Sequence, residues 1–92
     1  MIVRFTRRAE ADLVSIHSYL IERSPQGAAN VGASIQRGIR FIADHPLGGT
    51  KINPPLFVKI LTDYPYKIFY RIHEHHIEIV HIRHAARRQW RD

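Results

Sequence analysis

Several features that mark well-known classes of protein are missing from this 92-residue sequence. It has no cysteine, which excludes disulfide bonds, thiolate zinc sites and cysteine nucleophiles. The first residues, MIVRFTRR, contain no apolar stretch of the length found in a signal peptide. No segment approaches the roughly 20 apolar residues that span a bilayer. We therefore expect a small soluble protein without a membrane partner, and the lack of cysteine is compatible with a cytoplasmic location.

Motifs for common cofactors and nucleophiles are missing as well. The segment PLGG at 46–49 has neither the lysine spacing of a P-loop nor the dinucleotide fingerprint, and no serine lies in an elbow motif. The histidines of HEHH at 73–76 lack the one-turn helical spacing of zinc proteases and fall in a predicted hairpin turn. The sequence therefore predicts no cofactor and no metal site.

The charge that is present is mostly positive. Fourteen Lys and Arg residues oppose eight Asp and Glu residues, giving a net charge of +6. This balance favours nucleic acid, anionic membranes or an acidic protein as partner. The arginines are concentrated near the two ends, with Arg4, Arg7 and Arg8 at one end and Arg83, Arg87, Arg88 and Arg91 at the other. A fold that brings both ends to one face makes a concentrated basic patch; otherwise the surface is generally basic.

The length allows one domain, residues 1–92, because a second hydrophobic core would not fit. Hydrophobic residues make up 45% of the chain, enough for a single modest core and too many for general disorder. A domain of this size is marginally stable alone, so a partner that covers exposed apolar area is plausible.

Helical periodicity dominates the first half of the chain. After a short β-branched strand at 2–5, Thr6 is placed to cap a helix that extends to about Glu22. Ser24 and Pro25 then suit the cap and first turn of a second helix, which ends at His45 before Pro46. Apolar residues recur at helical spacing in both segments. The pattern predicts an antiparallel helical hairpin.

Strand patterns fill the second half. Residues 46–55, PLGGTKINPP, are expected to form a loop because Gly and Pro are frequent there. Three strands follow, at 56–61, 66–72 and 77–82, joined by connections too short for parallel crossovers. The predicted fold is α+β in the order β-α-α-β-β-β, a helical hairpin packed on a small, mainly antiparallel sheet.

Basic and aromatic residues on the sheet and in the C-terminal segment are the candidates for function. This mixture suits a single-stranded nucleic-acid platform or a ribonuclease site. Metal-free RNA cleavage needs a base, an acid and cations, and His84 can titrate near neutral pH beside the phosphate-binding Arg71 or Arg87. Alternatively, the ring of His84 packs at the end of the last strand. The basic candidates are Lys59, Lys67, Arg71, Arg83, Arg87 and Arg88, and the aromatic candidates are Tyr64, Tyr66, Tyr70 and Trp90.

An ordered set of motifs resembles the ParE-type toxins of bacterial type II toxin–antitoxin systems. FTRRAEADLVSIHSYLIERSP is similar to the opening of that family, and HPLGG resembles its Pro-x-Gly loop. VKILTDYPYKIFYRI resembles its two central strands, and IEIVHIRHAARR its closing strand and His-x-x-Arg tail through His84 and Arg87. In the opening, the matching residues are Ala9, Asp12, Leu13, Ile16, Tyr19 and Leu20.

The resemblance implies a RelE/ParE fold and an antitoxin partner whose acidic-leaning tail wraps the toxin. It further implies operator-DNA contact only indirectly, through the antitoxin. ParE-like members inhibit DNA gyrase, whereas RelE-like relatives cleave mRNA on the ribosome. Lys59 stands where the family usually has arginine and lacks its bidentate geometry. No tyrosine follows Tyr70, so the C-terminal tyrosine acid of RelE-like nucleases has no counterpart unless His84 replaces it.

Three hypotheses follow from this resemblance. The first is a non-enzymatic ParE-like toxin that inhibits gyrase by binding. The second is a ribosome-dependent mRNA endoribonuclease in which His84 and Arg87 are catalytic. The third is a non-toxic member that only binds its antitoxin. For the first, the predicted target-binding residues are Lys59, Arg71, His84, Arg87, Arg88 and Trp90.

Overall fold

Two helices and a five-stranded sheet make up the computed structural model, which describes residues 1–53 and 55–85. Strand β1 (Ile2–Phe5) leads into helices α1 (Arg7–Arg23) and α2 (Pro25–Asp44). A short 3-10 helix (Pro46–Gly48) follows, and then four strands complete the sheet. These strands are β2 (Thr50–Asn53), β3 (Leu56–Ile60), β4 (Tyr66–Ile72) and β5 (His76–His84).

Both helices begin where their capping residues predict. The Thr6 hydroxyl accepts a hydrogen bond from the Ala9 backbone N–H at 3.0 Å, and the Ser24 hydroxyl accepts one from Gly27 N–H at 3.0 Å. These bonds satisfy donors that have no partner within the helix. The predicted helical hairpin is confirmed, with Ser24 ending α1 and beginning α2.

The sheet has the strand order β1-β5-β4-β3-β2. Strand β1 runs parallel to β5, and all other neighbours are antiparallel. The helical hairpin covers one face of this sheet, and the core forms between them from Val31, Ile35 and Ile42 of α2 and Ile68, Ile77 and Ile79 of the sheet. The predicted α+β fold class is therefore confirmed. No helix in the described ranges is long and apolar enough to cross a membrane.

The prediction of a loop throughout 46–55 is wrong. Residues 50–53 form β2, which pairs with β3 through Thr50 opposite Val58 and Lys51 opposite Phe57. The segment before it is held by the buried Tyr70 hydroxyl, which donates to Pro46 C=O at 2.7 Å and accepts from Gly49 N–H at 3.1 Å. The strand thus arises from tertiary pairing, which Gly and Pro frequencies do not reveal.

Strand β5 is longer than predicted and contains a β-bulge. Phe69 pairs with His81, but the next residue of β4, Tyr70, pairs with Ile79, so Val80 is the extra residue. Since side chains alternate along a strand, one extra residue exchanges the faces of everything beyond it. Ile82 therefore lies in the core, and His81 and Arg83 lie on the sheet face away from the helices.

Candidate functional site

The sheet face opposite the helices carries a group of basic and aromatic side chains, which we term the outer basic face. It is formed by alternate residues of β4 and their neighbours on β5, as the cross-strand pairing requires. All of its members are partly exposed. They are Lys67, Phe69, Arg71, His81 and Arg83.

Lys67 and Arg83 are directly opposite each other on β4 and β5. Neither forms an ion pair with an acidic group of residues 1–53 or 55–85. The Arg83 guanidinium lies 5.4 Å from the centroid of the Phe69 ring, and its buried Nε has no hydrogen-bond partner in the described structure. Like charges in this position repel, so an anionic group bound between them would be stabilised by both.

Arg71 is balanced by an acidic neighbour. Glu78 accepts a hydrogen bond from His73 Nε2 at 3.0 Å and lies 3.5 Å from Arg71 Nη1. The hydrogen bond from His73 lowers the pKa of Glu78, partial burial opposes that shift, and the charges of His73 and Arg71 lower it further. Arg71 therefore contributes less uncompensated charge than Lys67 or Arg83. The His73 ring also stacks on His76, with centroids 4.5 Å apart.

His81 is held at the edge of the outer basic face by α1. Its Nδ1–H donates to Asp12 Oδ2 at 2.7 Å, and the same carboxylate oxygen accepts the backbone N–H of Ile82 at 2.9 Å. Because a carboxylate accepts hydrogen bonds, Nδ1 is the donor in this contact. Nε2 then faces Arg8 Nη2 at 3.5 Å. This arrangement fixes the ring orientation and leaves Nε2 as an acceptor.

The predicted site residues do not lie on one surface. Arg71 belongs to the outer basic face, whereas Lys59 pairs with the core residue Ile68 and lies on the helix side. The Lys59 ammonium is 4.2 Å from the centroid of the Phe41 ring. His84 also lies on the helix side, edge-on to the buried Tyr66 with centroids 5.1 Å apart.

Two of the candidate aromatic residues are in the core. Tyr66 and Tyr70 are buried against the helices, so the expectation that they lie among the basic residues of a binding face is wrong. Phe69 has that position instead. The predicted residues Arg87, Arg88 and Trp90 lie outside the described residues.

The sequence alone does not identify Asp12 and His81 as residues of one site. Asp12 has the signature of an acidic residue near a helix N-terminus, which gives no indication of a contact with the last strand. His81 falls on the core side if β5 alternates without interruption. Only the bulge at Val80 brings the two together, and the sequence carries no clear signal for it.

A second polar cluster joins α2 to the turn between β3 and β4. The buried Ser34 hydroxyl donates to Asp63 Oδ1 at 2.6 Å, and Arg37 Nη2 donates to Asp63 Oδ2 at 2.8 Å. The Ser34 hydrogen bond is the main cause that lowers the pKa of Asp63. Arg37, Asp63 and Tyr64 line a shallow depression of about 330 Å³. This cluster fixes the turn and is separate from the outer basic face.

Comparisons with known proteins identify both a family and a fold. Residues 3–89 match the family described as the ParE toxin of the type II toxin–antitoxin system, parDE. Toxin RelE2 of Caulobacter vibrioides is 33% identical over 85 residues, which cover 92% of this chain and 96% of the relative. A structure of the chromosomal ParDE system of P. aeruginosa superposes with a TM-score of 0.76 at 23% identity, covering 91% of this chain and 95% of that one. At that identity the structural likeness concerns the fold.

Proposed function

The chain belongs to the ParE toxin family and is a toxin of a type II toxin–antitoxin system; on this basis we propose that it inhibits DNA gyrase by binding through its outer basic face. In this proposal Lys67 and Arg83 provide the main contacts, and Arg71 and Phe69 extend them. Arg87, Arg88 and Trp90 follow β5 in sequence and are proposed as further contacts with gyrase. Family membership also implies a cognate antitoxin, and a net charge of +6 suits an acidic-leaning partner.

The observation that carries the proposal is the separation of His84 from Arg71. A ribonuclease that uses both requires them on one side of a bound phosphate. In this chain His84 packs on Tyr66 on the helix side, and Arg71 pairs with Glu78 on the other side. A face whose main cations lack acidic partners within the described ranges supports binding to an anionic surface without requiring a chemical step.

One experiment distinguishes inhibition of gyrase from RNA cleavage. The purified toxin is added in parallel to a gyrase supercoiling reaction and to a translating extract whose mRNA is mapped by primer extension. We expect loss of supercoiling with intact mRNA, and restoration of supercoiling when the cognate antitoxin is added. Codon-phased cleavage with normal supercoiling would refute the proposal. If expression without antitoxin leaves growth unchanged, the chain is a non-toxic antitoxin-binding member.

The geometry of His81 favours a second candidate, a metal-free endoribonuclease. Asp12 orients this ring as an acid–base pair requires, with Nε2 as the acceptor, and His81 shares the outer basic face with Lys67 and Arg83. In this candidate Nε2 accepts the proton of the 2′-hydroxyl, whose oxygen attacks the adjacent phosphate to form a 2′,3′-cyclic phosphate. The bond from phosphorus to the 5′-oxygen breaks, and the leaving 5′-oxygen takes a proton from water. Cleavage that is lost in His81→Ala but retained in His84→Ala would support it, and cleavage by both variants would exclude it.

A further inference from the structure

The two edges of the sheet differ in how well they resist pairing with another strand. At one edge, β2 has an irregular register between Lys51 and Asn53, and two prolines follow it in sequence. Bulges, lysine and proline are the usual protections of an exposed edge. At the other edge, β1 keeps an uninterrupted register from Ile2 to Phe5. This edge has none of those protections, and Arg4 is its one charged side chain.

Strand β1 also exposes apolar side chains. Ile2 is 63% exposed, Met1 51% and Phe5 37%. They lie at the beginning of a domain whose core is small, and no strand in the described ranges covers them. An exposed apolar edge of this kind favours the addition of a further strand.

The direction of the free backbone groups follows from one hydrogen bond. Thr6 N–H donates to Ile79 C=O of β5 at 3.0 Å. The backbone N–H and C=O of one residue point to the same side of a strand, and successive residues alternate. The backbone groups of Ile2 and Arg4 therefore also point toward β5. The backbone groups of Val3 and Phe5, and the C=O of Met1, therefore point away from the sheet at the open edge.

We propose that this edge pairs antiparallel with the same edge of a second copy of the chain. Along β1, odd-numbered residues point to one face of the sheet and even-numbered residues to the other. In a continuous sheet, paired residues of the two copies must point to the same face, so both must be odd-numbered or both even-numbered. The register with Val3 opposite Val3 satisfies this condition. It pairs Val3 N–H with Val3 C=O twice and Phe5 N–H with Met1 C=O twice, making one continuous sheet of ten strands.

Charge disfavours the neighbouring register that is centred on Arg4. Pairing centred on Arg4 would place two guanidinium groups directly opposite each other, which is destabilising. Pairing centred on Val3 places Arg4 of each copy opposite Ile2 of the other. Met1 then faces Phe5 on the side of the sheet that carries the helices. A second copy therefore pairs Val3 N–H and C=O, Phe5 N–H and Met1 C=O and covers the apolar side chains, without an acidic partner.

The size of the contact sets its strength. A few residues of each strand bury much less than the roughly 1,200 Å² of a stable interface. The dimer therefore forms in the free toxin at high concentration and dissociates on dilution. This inference does not depend on the target of the toxin.

Disulfide trapping tests the register directly, because the natural chain has no cysteine. Ile2→Cys protein is mixed with Arg4→Cys protein under mild oxidation, and both positions are exposed. These residues form a non-hydrogen-bonded pair with Cα atoms roughly 4.5 Å apart, within the range of a disulfide. We expect mixed dimers to form about tenfold faster than either homodimer. The control is Ile52→Cys on β2, which is 50% exposed and is mixed in the same way with each of the two β1 variants. Equal rates of disulfide formation for all pairs of variants would overturn the proposal.

Charge substitutions at Ile2 give an independent measurement in solution. Sedimentation equilibrium should show that Ile2→Glu, now opposite Arg4, lowers the dimer dissociation constant about fivefold. Ile2→Lys should raise it by a similar factor, and thermal unfolding should confirm that both variants remain folded. A monomer at all concentrations in the wild type and in Ile2→Glu would overturn the proposal. If Ile2→Lys then weakens only antitoxin binding, the edge accepts an antitoxin strand instead.

Discussion

The carboxylate of Asp12 accepts a hydrogen bond from the backbone N–H of Ile82 at 2.9 Å. A side chain of α1 therefore provides the acceptor that a neighbouring strand would otherwise provide. Strand β1 pairs with β5 only as far as Ile79, and beyond that point no strand of the described chain lies beside this edge of β5. Thr6 supports the same region, because its hydroxyl donates to Val80 C=O at 2.8 Å. The first turns of α1 therefore hold the bulge that directs His81 and Arg83 outward.

Replacement of Asp12 should destabilise the fold. Asp12→Ala removes the acceptor of both Ile82 N–H and His81 Nδ1–H, and lost hydrogen bonds to a charged group cost about 2 kcal/mol. Urea unfolding should show a decrease of that size in the free energy of unfolding. Glu10→Ala, in the same helix, should cost less than about 1 kcal/mol. Equal effects of the two substitutions would contradict the role given to Asp12.

The side chains of β5 show why the fold is easier to predict from the sequence than the site, because the face to which each one points depends on the bulge. Helical periodicity, the caps at Thr6 and Ser24 and the alternation in β4 were sufficient for the hairpin and most of the sheet. Uninterrupted alternation from Ile77, however, puts His81 and Arg83 in the core and Ile82 outside. The bulge at Val80 reverses this order, and it depends on contacts with α1 that are distant in sequence.

The extra strand has a similar explanation. The sequence TKIN at 50–53 is too short for a clear alternating pattern and lies between glycines and prolines. Its pairing with β3 and the contacts of Tyr70 with Pro46 and Gly49 exist only in the folded chain. Local sequence therefore indicated a loop where tertiary contacts stabilise a strand.

Two glycine substitutions should have opposite effects. A Cβ at Gly49 would lie 2.8 Å from Val58 C=O and would also overlap the Tyr70 hydroxyl, so Gly49→Ala should destabilise the fold by about 2 kcal/mol. Gly32 lies within α2, and the space that an alanine methyl group would occupy there is open. Gly32→Ala should stabilise by about 0.5–1 kcal/mol because alanine favours a helix. Thermal unfolding compares both with the wild type, and a stable Gly49→Ala would exclude the close packing described.

The Asp63 cluster should contribute to acid sensitivity. The pKa of Asp63 in the folded state is below the ordinary value of 3.8, chiefly because Ser34 donates a hydrogen bond to its carboxylate. Ionised Asp63 therefore stabilises the fold at pH values above its pKa in the unfolded chain. This stability is lost as the pH falls through its pKa in the folded state. Ser34→Ala should raise the pKa of Asp63 and reduce this dependence on pH. NMR titration of the carboxyl carbon, together with urea unfolding between about pH 2 and pH 5, measures both effects, with Gln36→Ala as a control on the same helix. An unchanged Asp63 pKa would contradict the assignment.

Lys67 lies opposite Arg83 on the neighbouring strand, a position that costs stability in the isolated fold. Lys67→Glu converts a like-charge pair into an ion pair and should raise the free energy of unfolding by about 0.2–1 kcal/mol. It also removes a cation from the proposed contact with gyrase. Arg40→Glu makes the same change in net charge at an exposed position of α2 and is the matched control.

The most direct measurement is the toxin concentration that halves gyrase supercoiling, determined for wild type, Lys67→Glu and Arg40→Glu. We predict that Lys67→Glu requires more than about tenfold more toxin although it is at least as stable, whereas Arg40→Glu changes the value less than about twofold. Wild-type inhibition by folded Lys67→Glu protein would contradict binding through the outer basic face.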